Sequence, residues 1–214
     1  MRLVVGAHPG RIAPLRIVDP QGLYHVMSRG NYRTTIFPDH DHAERYLFFL
    51  NRVSARRQWV VVDWCLMPNH YHLLIQLTDD GLSDGMRELN GCYSRWSNQM
   101  HQLTGTGHLV RNRFKSLLVD DDPYVLQLLR YLPNNPVRAE LAPTAEDWKW
   151  SGFRATAGLE YPRAFHRPSA ALAYFDRDPK RAQDLYTRHV TLGADLNGPV
   201  PWSDQKGGDA WLDR

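Results

Sequence analysis

No stretch constrains this chain more than Trp64 to Leu77, WCLMPNHYHLLIQL, where Pro68-Asn69 interrupts an apolar run and two histidines stand two residues apart. A proline followed by asparagine makes a tight turn, so the two halves of the run pair as an antiparallel hairpin. Side chains alternate along a strand. His70 and His72 therefore point to one side, about 6.5 Å apart along the backbone, while Tyr71, Leu73 and Ile75 face a core. Two imidazoles on one face of a rigid strand make either a bidentate metal site or a hydrogen-bonded polar face, and the pair alone leaves both readings open.

The flanking segments supply a sheet and helices around that hairpin. Met1 to Pro20, rich in Gly and Pro, reads as a loose leader with at most a short extended piece at Leu15 to Val18. Gly22 to Gly30 reads as a strand with Leu23, His25, Met27 and Arg29 on one face; His25 either approaches the histidine pair or, as is commoner, is a satisfied structural residue. Arg29 and Arg33 flank a Gly-Asn turn where they can hold a phosphate. Ala43, Tyr46, Leu47, Leu50 and Val53 mark a helix from Asp39 to about Arg57, capped by Asp39 or Asp41, with His40 and His42 solvated in its first turn. Gln58 to Met67 is the strand that enters the hairpin.

A second helix, about Ser83 to Leu103, carries Met86, Leu89, Tyr93, Trp96 and Met100 on one face. Tyr93 is a nucleophile by residue type and a core aromatic by position. Asn112 to Val119 follows as a strand in which Arg113, Phe114 and Lys115 interleave charge with an aromatic ring, a pattern suited to a single-stranded nucleic-acid groove or to a half-exposed strand. A third helix opens at Asp121 or Asp122 with Pro123 in its first turn. It should be disturbed at Pro133, whose ring opposes the carbonyl of Leu129. Asn135-Pro136 then looks like the cap of a separate short helix through Leu141, and one further helix covers Asp178 to Val190. Strand, helix, strand, strand, helix, strand predicts an α+β, ferredoxin-like split βαβ sandwich: a four- to five-stranded antiparallel sheet, helices on one face, and a C-terminal helical extension. The domain reading is a leader at 1–20, a main domain at 21–142 and a C-terminal extension at 143–214.

Composition limits what such a fold does. The 214 residues are 43% hydrophobic and 23% charged, ordinary for a globular protein, so disorder is not the default. The net charge is +3, with Lys only at 115, 149, 180 and 206. That arginine bias leans toward phosphate recognition and fits equally a G- and C-rich genome. Cys65 and Cys92 have no zinc-ligand spacing and suggest no disulfide framework. No run approaches the ~20 apolar residues of a membrane span, so the expectation is a cytoplasmic protein with no membrane partner.

Five ordered blocks then carry a resemblance. LYHVMSRGN (23–31), CLMPNHYHLLIQ (65–76), RFKSLLVDDDPY (113–124), RYLPNNPVRA (130–139) and DWKWSGFRA (147–155), at their spacing, resemble the REP-associated tyrosine transposases, relatives of the HUH-class single-strand transposases of insertion sequences. The resemblance implies that His70 and His72 are metal ligands, that Tyr131 is the single catalytic tyrosine, and that Asn135 completes the metal site. It implies a divalent ion, Mg2+ or Mn2+, single-stranded or hairpin DNA as partner, and a monomer or weak dimer. Arg29, Arg33, Arg111, Arg113 and Lys115 are the expected DNA contacts. The chain departs from the family at Tyr71, an aromatic between the histidines, at Pro133, and at Glu140, where glycine is usual.

The residue types suit the implied chemistry. A phosphodiester repels nucleophiles, and neutral imidazoles leave a bound cation its full attraction for phosphate. A tyrosine ester stores the cleaved bond for rejoining, where water would discard it. The implied function is a metal-dependent single-stranded DNA endonuclease and strand transferase acting at repetitive palindromic hairpins through a 5′-phosphotyrosine. The alternatives are a catalytically inactive hairpin-binding descendant, a metal phosphoesterase unrelated to transposition, and RNA binding through the same sheet.

Overall fold

The computed structural model describes residues 19–31, 34–101 and 114–192. The elements run β1 (Leu23–Arg29), α1 (His40–Arg57), β2 (Val60–Met67), β3 (His70–Gln76), α2 (Leu82–Met100), β4 (Lys115–Val119), α3 (Asp122–Arg138), α4 (Phe153–Thr156), α5 (Pro168–Leu172) and α6 (Pro179–Leu192). The strands form one four-stranded antiparallel sheet in the order β2-β3-β1-β4, so the histidine strand is internal. The α+β reading and the split βαβ order hold. Helices on one face describe only α1 and α2, whose Tyr46, Leu50, Leu89 and Tyr93 pack with Val26, Tyr71, Leu73 and Ile75. On the opposite face, α3 sets Leu128, Leu129 and Leu132 against Met27, Cys65 and Leu74. The hairpin is apolar on both faces, and a sheet of that kind needs a layer on each.

Asp39 caps α1 by accepting the His42 amide at 3.0 Å, and Asp121 caps α3 by accepting that of Tyr124 at 2.6 Å. The expected break at Pro133 and the separate helix through Leu141 do not occur. α3 runs unbroken to Arg138 with Pro133 and Pro136 inside it. Each proline removes one intrahelical donor, but the segment from Leu132 to Pro136 is buried, and Asn134 Nδ2 donates to the carbonyls of Arg130 and Val190, both at 2.9 Å, tying the helix to α6. The helix ends in a Schellman turn, with the Glu140 amide on Val137 O at 3.0 Å and that of Leu141 on Pro136 O at 2.9 Å. Glu140 sits there at φ 56°, the left-handed region that favours glycine.

β2 is an edge strand whose unpaired backbone would invite association. The chain after α3 covers it: the Leu66 amide donates to Trp150 O at 2.8 Å, the Gly152 amide to Trp64 O at 2.9 Å, and the Arg167 amide to Val61 O at 2.9 Å. Beneath this cover Asp63, Ser151, Thr156 and His166 are all buried. Gly152 is required at this approach, because a Cβ there would press into Asp63 Oδ1 and stand 3.0 Å from His166 Cε1. Among the described residues no helix is long and apolar enough to cross a membrane. The extended piece expected at Leu15 to Val18 and the tail after Gly193 lie outside the described residues.

Candidate active site

The sheet register lines up the polar residues of one face. Across the strands Cys65, His72, Met27 and Lys115 stand in one row, and Met67, His70 and Arg29 in the next. Directly opposed residues in an antiparallel pair project to the same side. Arg29, Lys115 and both histidines therefore share the face that α3 covers. His70 and His72 lie with ring centroids 5.2 Å apart and planes perpendicular. His70 Nδ1 is 2.7 Å from Asn69 Oδ1, and His72 Nδ1 is 2.9 Å from His25 Nε2.

α3 brings the other two residues. Tyr131, half-buried, stands edge-on to His72 with centroids 5.8 Å apart, and the Arg138 guanidinium lies 5.5 Å above the Tyr131 ring. Because α3 is continuous, Asn135 falls one turn after Tyr131 on the same face. It is a mid-helix residue, so the reading of Asn135 as a helix cap fails. Its carboxamide lies beside the His70 ring, and its buried Nδ2 has no hydrogen-bond partner.

The electrostatics keep the imidazoles uncharged. Burial lowers His25 to about 3. Burial, then the nearby Arg29 cation, lowers His70 to about 4, against the neighbouring Asn135 carboxamide. Burial, His25 and His70 hold His72 well below the usual histidine range. All three are neutral near pH 7 and present lone pairs rather than charge. Among the described residues no three His, Cys, Asp or Glu side chains group to hold a cation. A cation here would take two neutral imidazoles and the Asn135 carboxamide, a nitrogen-rich set that suits Mn2+ and other transition ions better than Mg2+. The chemistry of that donor set, imidazole nitrogen with carboxamide oxygen, fits such an ion.

Several expectations change. Arg29, expected to flank a turn where it holds a phosphate, ends β1, is 7% exposed, and lies beside His70. Lys115 is half-buried at the start of β4. Arg33, Arg111 and Arg113 lie outside the described residues. His42 is not solvated; it is buried between Asp39 at 2.8 Å and His101 at 3.0 Å, on the far side of the sheet. Tyr93 is the core aromatic, its hydroxyl on Ile36 O. His25 is the residue whose position sequence reasoning undervalued. It sits diagonal to His72, opposite Leu74, and only the strand register reveals that.

The model of the family described as transposase, IS200-like, matches residues 20–135. The chain belongs to the IS200-like transposase family. A Haemophilus influenzae protein named as a REP-associated tyrosine transposase is 29% identical over 108 residues, covering 46% of this chain and 61% of that relative; the chain thus spans about three fifths of its length. Among solved structures, a REP-associated tyrosine transposase bound to a REP hairpin superimposes with TM-score 0.59 at 17% identity, covering 74% of this chain and 95% of that one, a likeness of fold. The family match spans β1 through Asn135, so it contains His25, Arg29, His70, His72, Lys115, Tyr131 and Asn135, while Arg138 lies just beyond it.

Proposed function

We propose that this chain cleaves and transfers single-stranded DNA beside a hairpin, with Tyr131 as nucleophile. The observation that carries the reading is the convergence of Tyr131 and Asn135 from one helix onto His70 and His72 of one strand, on a face that also bears Arg29 and Lys115. Family membership and the hairpin-bound fold relative support the substrate class.

The Tyr131 hydroxyl attacks phosphorus. A Tyr131 Oη–P bond forms, the P–O3′ bond breaks, the phenolic proton leaves, and the departing 3′-oxygen ends as a 3′-hydroxyl. The products are a 5′-phosphotyrosine and a free 3′ end, and the reverse attack by another 3′-hydroxyl rejoins the strand. A divalent ion held by His70, His72 and Asn135 would polarise the scissile phosphate and offset its developing charge. Arg29 and Lys115 add fixed positive charge along the backbone path. The Arg138 guanidinium over the Tyr131 ring restrains its orientation.

Tyr131→Phe removes the hydroxyl and keeps the ring. DNA labelled on the 3′ side of the break should become covalently attached to the wild type and not to the variant, with hairpin affinity retained. An adduct that persists in the variant, or maps to Tyr93 or Tyr124, refutes the assignment; wild-type cleavage with no adduct points to hydrolysis by water.

A further inference from the structure

We propose that His25 is a positioning residue that fixes the tautomer of His72, accepting the His72 Nδ1 proton so that Nε2 carries a lone pair rather than a proton. The inference rests on the proposed metal role of His70 and His72.

Both histidines of β3 are engaged through the same atom. His70 Nδ1 lies 2.7 Å from Asn69 Oδ1, an oxygen that can only accept, so His70 carries its proton on Nδ1 and leaves Nε2 bare. His72 Nδ1 lies 2.9 Å from His25 Nε2. The His25 and His72 planes differ by only 20° and their centroids are 5.1 Å apart. With the nitrogens at 2.9 Å, that places the rings nearly coplanar and head to head, the arrangement of one N–H···N hydrogen bond rather than of face-to-face stacking. One proton lies between them, and two directions exist. If His25 donated, His72 would carry its proton on Nε2 and have no lone pair for a cation. If His72 donates, both β3 imidazoles present bare Nε2 atoms, the same tautomer on both.

His25 cannot itself be a third ligand through Nε2, because that atom is taken by His72. Both residues are fully buried, so the hydrogen bond has no competition from bulk water. A buried apolar residue would fill position 25 with less desolvation, and the neighbouring positions on this face, Leu23 and Met27, are apolar. An imidazole there is explained by what it accepts. Outer partners of this kind orient the ring and raise its basicity, and their loss commonly weakens metal binding about 10- to 100-fold.

The test has two readouts that need no DNA cleavage. In the metal-free wild type, imidazole 15N shifts should show His72 protonated on Nδ1 with a pyridine-like Nε2; a proton on Nε2 overturns the proposal. Titration with Co2+ by absorption and with Mn2+ by electron paramagnetic resonance gives affinities for folded variants, checked by circular dichroism. His25→Leu should weaken binding about 10- to 100-fold, and His25→Gln, whose carboxamide oxygen reaches the place of Nε2, should restore it to within a few-fold of the wild type. Wild-type affinity in His25→Leu refutes the positioning role while His72→Ala still abolishes binding. If His72→Ala binds like the wild type, the metal reading fails instead. Equal loss in His25→Leu and His25→Gln assigns His25 a packing role only and also refutes the proposal.

Discussion

Replacing Asp63 with asparagine should stabilise this protein at neutral pH, increasingly so as pH rises. Asp63 lies in β2 beneath the covering segment that carries Gly152 and His166, fully buried. Its Oδ1 accepts the Trp64 amide at 2.8 Å, and Oδ2 has no hydrogen-bond partner. Burial raises it from 3.8 to about 8, against the Trp64 hydrogen bond. A carboxyl whose folded pKa is raised favours folding fully below its unfolded pKa, and that contribution is lost as pH climbs toward the folded value. Between those limits each pH unit removes about 1.4 kcal/mol. Asparagine keeps the accepting oxygen and has no proton to lose. From about pH 5.5 to 7.5 the stability gap between Asp63→Asn and the wild type should therefore widen by roughly 2.5 kcal/mol. Buried His25, His70 and His166 have lowered values and change stability in the opposite sense, gaining as pH rises toward 6.5. They are common to both proteins and cancel in the difference. Urea unfolding of both proteins across this range measures the gap. A gap that stays constant with pH would refute a neutral, buried carboxyl at position 63.

Two further substitutions test the backbone reading. Glu140→Gly relieves a left-handed residue at φ 56° in the Schellman turn after α3, and a gain of about 1 kcal/mol in chemical denaturation is expected; no gain would mean the turn carries no strain. Gly85→Ala sets a Cβ against the buried Trp59 ring, 2.6 Å from its Cη2, so despite alanine's better helix propensity the melting temperature should fall, by an overpacking loss of about 1–3 kcal/mol. A rise would show that Trp59 moves aside.

The order of elements from β1 to the start of α3, the hairpin at Pro68-Asn69 and the caps, each narrowed to two adjacent or nearby aspartates, were legible because each follows from local rules: alternation, three- and four-residue spacing, and an acceptor side chain ahead of unpaired amides; the short helices α4 and α5 were not. The shared direction of His70 and His72 followed from alternation too. Pro133 misled, since a local rule predicts a break where burial of Leu132 to Pro136 and the Asn134 bonds to Arg130 and Val190 hold the helix together. His42 misled for the same reason: its first-turn position suggests solvent, yet its partner His101 lies 59 residues away.

What the sequence by itself determined is each residue's parity on its strand or its turn on its helix, because those depend only on backbone geometry. Which residues meet was decided by the tertiary structure. Strand register set His25 diagonal to His72 and Arg29 opposite His70, and a shift of one residue would have turned either pair to opposite faces. The unbroken α3 put Asn135 one turn beyond Tyr131, where a helix restarted at Asn135 would have pointed it elsewhere. The site exists because long-range packing fixed register and helix phase, and neither is encoded within any single segment.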